Sequence, residues 1–151
     1  MSMAMTGECL CGAVKVILPH RVNEVGVCHC SMCRKWCSGP WMALTAPPET
    51  RIEGEGLKVY QSSWAAERGF CGTCGCAIFH RPQDGAEMAV SAGLFDNRDF
   101  SIAREICHDD KPPYYRFDAT SERQSSARLA VIWLPRLIAR RIRRLFRRGP
   151  A

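Results

Sequence analysis

Seven cysteines in three short groups constrain this chain more than any other feature: Cys9 and Cys11 as C-x-C, Cys28, Cys30 and Cys33 as C-x-C-x-x-C, and Cys71 and Cys74 as C-x-x-C. Cys37, Cys76 and Cys107 complete the ten. A single domain of 151 residues buries enough surface to fold without disulfides. The start, Met1-Ser2-Met3-Ala4-Met5-Thr6-Gly7-Glu8, carries neither a basic n-region nor an apolar stretch. The best apolar run, Leu129 to Ile138, is short and contains Arg136, well below the roughly 20 residues of a membrane-spanning helix. These features predict a cytoplasmic address, where clustered cysteines read as metal ligands or redox groups rather than structural bridges.

Zinc takes four ligands at about 2.3 Å for sulfur, so sulfurs sharing one ion lie about 3.8 Å apart. Residues two apart on a strand share a face, so a C-x-C pair converges where a strand end bends inward. A C-x-x-C pair converges more easily in a tight turn, and Gly72 and Gly75 supply the backbone freedom for one. One C-x-C with one distant C-x-x-C makes a closed four-thiolate site, structural in kind. Cys28, Cys30 and Cys33 offer three thiolates within six residues, leaving a fourth position for water, a side chain or a substrate sulfur. Three protein ligands with one exchangeable position are the arrangement of a catalytic zinc. Spacing alone also permits the middle group to close with Cys71 or Cys74, or with Cys37 as a fourth ligand. Against metal binding stand two plain readings: a C-x-x-C pair can be a redox couple, and single cysteines are commonly buried apolar residues. Cys37, Cys76 and Cys107 are read as structural or incidental thiols. His29, between two ligands, is expected to point away from the metal; His29, His80 and His108 are the candidates for a general base.

Residues 7 to 118 read as one mainly β unit. Short β-branched or alternating segments at Ala13–Leu18, Pro40–Thr45, Leu57–Gln61, Ala65–Phe70, Ala77–His80 and Glu87–Ala92 are punctuated by glycine and proline, as in a small all-β fold. One short helix is expected to follow Cys33 and another to begin near Asn97. Pro112-Pro113-Tyr114-Tyr115 reads as extended. The division predicted is a zinc β domain over residues 1–120, a polar linker over 121–127 and a helical tail over 128–151.

The net charge of +6 belongs to that tail. Residues 128–151 hold eight arginines and no acid, so residues 1–127 carry 13 basic and 15 acidic residues, a net of −2. In the tail, Leu134, Leu137, Ile138, Ile142, Leu145 and Phe146 fall on one side of a helical wheel and most arginines on the other. Pro135 is expected in the first turn of this helix. A basic amphipathic helix of this kind suits an anionic membrane surface, nucleic acid, or an apolar patch of its own domain.

Gly7-Glu8-Cys9-Leu10-Cys11-Gly12-Ala13-Val14, Cys28-His29-Cys30-Ser31-Met32-Cys33-Arg34-Lys35 and Phe70-Cys71-Gly72-Thr73-Cys74-Gly75 resemble, in order, the three motifs of the glutathione-dependent formaldehyde-activating (GFA) family, which also includes centromere protein V. Ala92-Gly93-Leu94-Phe95-Asp96, Lys111-Pro112 and Tyr114-Tyr115 are similar to its weaker closing pattern. The resemblance implies a β-tent of curved antiparallel sheets pinned by zinc, with two zinc ions per chain. It places the structural ligands at Cys9, Cys11, Cys71 and Cys74 and the catalytic ones at Cys28, Cys30 and Cys33. It implies a carbon–sulfur lyase joining glutathione, or another small thiol, to formaldehyde as S-hydroxymethylglutathione. Arg34 and Lys35 are then candidates to attract glutathione carboxylates. Cys37 and Cys76 depart from the family pattern, where small or hydroxyl residues are expected, and the arginine-rich tail is additional to it. The alternative is a non-enzymatic zinc module whose tail binds a membrane surface or nucleic acid.

Overall fold

The computed structural model describes residues 3–83, 87–118 and 120–147, with side chains as far as residue 143. Eleven strands and two helices follow in order: β1 (Met5–Glu8), β2 (Lys15–Leu18), β3 (Glu24–Cys28), α1 (Ser31–Cys37), β4 (Trp41–Ala46), β5 (Arg51–Glu53), β6 (Leu57–Gln61), β7 (Ala66–Cys71), β8 (Ala77–Pro82), β9 (Met88–Ser91), β10 (Ser101–Ile106), β11 (Glu122–Gln124) and α2 (Ser126–Arg147). The strands form two sheets, a small one ordered β1-β2-β5 and a large one ordered β11-β10-β3-β4-β9-β8-β7-β6. Pairing is antiparallel except at one edge, where β10 runs parallel to both β3 and β11.

The mainly β expectation holds, and the reason is local. In β2, Val16 and Leu18 are buried while Lys15 is exposed, the alternation of a half-buried strand. Val14, Val16, Leu18, Val27, Leu44, Ile78, Phe79 and Val90 are essentially solvent-free and form the core with Val25, Ala92 and Phe95. Each large apolar side chain buried this way stabilises the fold by about 1.5–3 kcal/mol. Gly69 in β7 lets the Phe79 ring lie flat against the sheet, since a Cβ there would sit 2.2 Å from a ring carbon.

Three local expectations are corrected. No helix forms near Asn97; after a 3₁₀ turn at Ala92–Leu94 the chain goes on to β10. Within 121–127, residues Glu122–Gln124 pair with β10, and α2 has already begun at Ser126. Pro135 therefore stands in the interior of α2 rather than in its first turn, because the capping contacts lie nine residues earlier: Asp109 accepts from the Ser126 N–H at 2.6 Å and from its hydroxyl at 2.9 Å. A carboxylate at a helix N-terminus also complements the helix dipole.

The tail docks on the body by one face. Leu129, Trp133, Leu137 and Arg140 are partly covered, at the spacing of one helical face. Arg140 lies 3.8 Å from Glu87, and the Arg141 guanidinium sits 5.2 Å from the centre of the Trp64 ring. The apolar side chains thus split into two stripes: Val131, Leu134, Ile138 and Ile142 remain exposed. Leu145, Phe146 and the last three arginines of the tail fall outside the residues whose side chains are described. Among the described residues no helix is long and apolar enough to cross a membrane.

Candidate metal centres

Two groups of cysteine sulfurs converge. The first unites Cys9, Cys11, Cys71 and Cys74, whose sulfurs all lie within 4.8 Å of one another. Cys9 and Cys11 occupy the connection from β1 to β2, where Gly12 at φ +75° allows the reversal and its N–H donates to the Cys9 carbonyl at 2.9 Å. Cys71 ends β7; the following turn reaches Gly75 at φ +77°, whose N–H returns to the Cys71 carbonyl at 2.8 Å. These are the positions where a residue without Cβ is favoured. The Cys9–Cys11 and Cys11–Cys71 sulfur separations are 3.6 and 3.7 Å, close to the roughly 3.8 Å edge of a zinc–thiolate tetrahedron. The small sheet supplies one pair of thiols and the large sheet the other, so the cluster joins the two.

Backbone amides serve these sulfurs. The Val14 N–H donates to Cys9 Sγ at 3.3 Å, and the Leu10 N–H donates to Cys76 Sγ at 3.3 Å. Burial pushes the Cys9 thiol up, but the Val14 amide and the neighbouring thiols outweigh it and hold it below its usual value. Hydrogen bonds from the Cys76 and Cys11 backbones lower Cys74 to about 6. Cys76 thus bridges the two loops from beside the cluster and is not one of its four sulfurs.

The second group is Cys28, Cys30 and Cys33, again within 4.8 Å of one another. Cys28 ends β3, opposite Trp41 of β4. Cys30 caps α1 and accepts the Cys33 N–H at 3.4 Å, so the first helical turn carries Cys33 back onto the same side as Cys30. The geometry excludes closure of this group by Cys71 or Cys74, which belong to the other cluster. Cys37 lies near Cys33 but outside the triad; burial first, and then the Cys33 charge, push it up to about 11.

Arg68, Trp36 and Trp41 beside the triad escaped the sequence reading, which took Cys107 as a structural or incidental thiol. Cys107 follows β10, whose Ile106 pairs with Cys28 and accepts the His29 N–H at 2.9 Å. The strand pairing thus brings Cys107 beside the triad, although its sulfur is not one of the group within 4.8 Å. Hydrogen bonds from Cys107 first, then from Cys28 and Cys33, pull Cys30 far below the ordinary thiol range. Arg68 of β7, only 4% exposed, places Nη2 3.5 Å from Cys33 Sγ and its guanidinium 4.7 Å from the centre of the Trp36 ring. Its Nη1 is buried without a hydrogen-bond partner among the described residues. Trp36, Trp41 and His80 pack beside it, the tryptophans tilted at 54° with centroids 5.7 Å apart and Trp41 edge-on to His80 at 6.1 Å. Burial, then the Arg68 charge, lower His80 to about 4, which leaves it neutral at neutral pH.

His29 turns away from the triad, as expected, but into a buried polar network. Its Nε2 lies 2.9 Å from Glu105 and its Nδ1 2.8 Å from the Tyr115 hydroxyl. Burial lowers His29, while hydrogen bonds from the Ser121 hydroxyl and from His29 overcome burial to hold Glu105 below the usual carboxylate range. The consistent state is a neutral His29 donating from Nε2 to an ionised Glu105 and accepting from Tyr115. No sequence signal pairs residues 29 and 105, and the strand that precedes Cys107 was not recognised. Of the candidate carboxylate-attracting residues, Arg34 donates from Nε to the His29 carbonyl at 2.8 Å, and Lys35 is exposed on α1.

Residues 4–110 match the family described as "Glutathione-dependent formaldehyde-activating enzyme". An "uncharacterized lyase" of Schizosaccharomyces pombe is 34% identical over 114 residues, covering 74% of this chain and 83% of that protein. A crystal structure of a Rhodobacter sphaeroides protein superposes with a TM-score of 0.51 at 28% identity, covering 62% of this chain and 89% of the other.

Proposed function

This chain belongs to the glutathione-dependent formaldehyde-activating enzyme family, and from that premise we propose that it is a zinc-dependent carbon–sulfur lyase acting on a thiol adduct, with glutathione and formaldehyde the favoured pair. The observation that carries the proposal is the triad itself: three sulfurs gathered on one strand end and one helical turn, with a buried arginine at its edge. Cys28, Cys30 and Cys33 would hold one zinc ion and Cys9, Cys11, Cys71 and Cys74 the other; an all-sulfur donor set at these separations suits zinc. Bound there, zinc supplies acidity to a thiol, so that a thiolate forms at neutral pH.

The chain's own residues do the rest. Arg68 offsets the negative charge that three thiolates accumulate, through its contact with Cys33. Trp36 and Trp41 keep water from that side and strengthen the charge interactions there. Arg34, oriented by the His29 carbonyl, and exposed Lys35 lie on α1 directly after the last triad cysteine, placed to draw in the carboxylates of a glutathione-like thiol. The thiolate sulfur attacks the carbonyl carbon, a C–S bond forms, and the carbonyl electron pair moves to oxygen, which takes a proton. Cleavage is the reverse.

The test is zinc per chain together with NMR detection of S-hydroxymethylglutathione, for the wild type and Cys30→Ser. Zinc falling from two ions to one, with loss of the catalysed reaction, is expected. Unchanged zinc, or unchanged catalysis with one zinc lost, would overturn the proposal.

A further inference from the structure

We propose that α2 carries the protein onto an anionic lipid surface, its aliphatic stripe sunk among the acyl chains and its arginines level with the phosphates. Nothing in this depends on which reaction the cysteine triad performs. The helix is held to the body by one face, through the partly covered Leu129, Trp133 and Leu137 and through Arg140, 3.8 Å from Glu87. Its start is fixed as well, because the Asp109 carboxylate accepts from the Ser126 N–H at 2.6 Å. A different set of side chains is left in water: Val131, Leu134, Ile138 and Ile142 are 76%, 48%, 46% and 48% exposed. At roughly 100° per residue these four fall within about 80° of the helix circumference, turned away from the body. Exposed aliphatic side chains gathered on one face, rather than scattered, mark a surface that another phase covers.

The charge around the stripe selects what covers it. Residues 128–151 hold eight arginines and no acidic residue. Counted from Ile138, Arg128 lies roughly 80° round on one side and Arg141 roughly 60° round on the other, so the stripe has an arginine on each flank. Both have partners in the free protein: Arg128 Nη2 lies 3.4 Å from Glu122 Oε1, and the Arg141 guanidinium sits 5.2 Å from the centre of the Trp64 ring. The Arg128–Glu122 pair is exposed on both sides, so it contributes little and gives way readily to phosphate. Trp64 is itself half exposed, and an indole beside an arginine suits the headgroup level of a bilayer. Arg136, over the Trp133 ring, and Arg143 lie farther round the helix and do not flank the stripe. Their charge still adds to the attraction of an anionic surface, which falls off over about 8 Å at physiological salt.

Two other occupants fit less well. A second copy of the chain seated stripe to stripe would bring two arginine-rich helices together, with no acid in residues 128–151 of either to offset them. A nucleic acid would neutralise the arginines, but its sugar–phosphate backbone offers nothing apolar to cover four aliphatic side chains. A lipid layer meets both needs at once. Acyl chains cover the stripe, and headgroup phosphates meet the long arginine side chains that reach up beside it. Among the described residues no helix is long and apolar enough to cross a membrane, so the contact runs along the surface.

The experiment is flotation of the full chain with vesicles of two compositions. Vesicles of phosphatidylcholine containing phosphatidylglycerol should carry the wild type upward, vesicles of phosphatidylcholine alone should not, and added salt should weaken the binding. Ile138→Asp/Ile142→Asp should lower the vesicle-bound fraction at least about 100-fold, since two aliphatic side chains leave the lipid. Ile138→Leu/Ile142→Leu keeps the stripe apolar and should float like the wild type. Circular dichroism checks that each variant retains its helix, and flotation of the unaltered chain on the two vesicle types keeps the proposal refutable even if the aspartate pair unfolds α2. Absence of flotation, equal flotation on both vesicle types, or flotation unaffected by the aspartate pair overturns the proposal. So does a wild-type dimer in light scattering that the aspartate pair splits, which would assign the stripe to a second copy. Single-stranded RNA binding that competes with the vesicles and survives the aspartate pair also overturns it, and would assign the arginines to nucleic acid.

Discussion

Glu105→Ala removes the centre of the network behind the triad, and its cost can be built from the contacts. Glu105 is 1% exposed and accepts from His29 Nε2 at 2.9 Å and from the Ser121 hydroxyl at 2.7 Å, with Arg123 Nε at 3.5 Å. Truncation leaves the fully buried His29 ring N–H without an acceptor, a loss of about 1–3 kcal/mol, and removes two charge-assisted bonds of about 1.5–3 kcal/mol each. Against this stands relief from burying a carboxylate, several kcal/mol for a bare ion. The net expectation is about 3 kcal/mol lost, or about 6–12 °C in melting temperature for a chain of this size. Glu105→Gln keeps an acceptor for His29 and should lose only about 1 kcal/mol. Acid acts in the same direction. His29 is held below its usual value, so the folded state loses stability as pH falls below that of an unperturbed histidine, about 6.5. Glu105 is also held low, so its contribution is complete above the ordinary carboxylate pKa and disappears as pH falls through the folded value. Thermal melts by circular dichroism, with zinc in excess and pH stepped from 8 to 4, read both effects. Glu105→Ala melting within about 2 °C of the wild type would refute the reasoning, as would a wild-type melt that does not fall between about pH 6.5 and 4.

Cys71→Ser should release the zinc that joins the two sheets and broaden or abolish the cooperative melt, whereas Cys30→Ser should lose one zinc ion and still melt cooperatively; equal behaviour of the two variants in elemental analysis and circular dichroism would contradict the division of roles. Arg68→Leu should lower zinc affinity of the middle site about 10–100-fold by chelator competition, the usual effect of removing an outer partner of a metal ligand, and an unchanged affinity would remove Arg68 from the site. Gly54→Ala places a Cβ 2.0 Å from the Ala13 carbonyl oxygen at φ +120° and should cost at least about 2 kcal/mol in urea unfolding. Gly93→Ala, with nothing within 4 Å of the new Cβ, should stay within about 0.5 kcal/mol of the wild type, and similar effects at the two sites would refute that contrast.

Much of the fold was legible because its signals are local. The run from Ala13 to Leu18 alternates its burial as a strand must, and β4, β6, β7, β8 and β9 coincide closely with the apolar segments read from the chain. Strands β3 and β10 were missed for a physical reason: Gly26 interrupts one, and Arg104 and Glu105 make the other look polar, although Glu105 is buried by its partners. The helix over Pro135 was misplaced because capping by Asp109 is a tertiary contact across 17 residues. The sequence by itself determined which cysteines within one group could share an ion, since C-x-C and C-x-x-C spacing limits how far apart neighbouring thiols can stand; which groups unite it left open. Tertiary structure alone decided the surroundings of each group. Only the parallel entry of β10 beside β3 brings Ile106 against Cys28 and Glu105 against His29, and only the path of β7 delivers Arg68 to Cys33. Spacing acts through a few rigid bonds, whereas these contacts join residues tens of positions apart, and nothing along the chain records which strand will lie beside which.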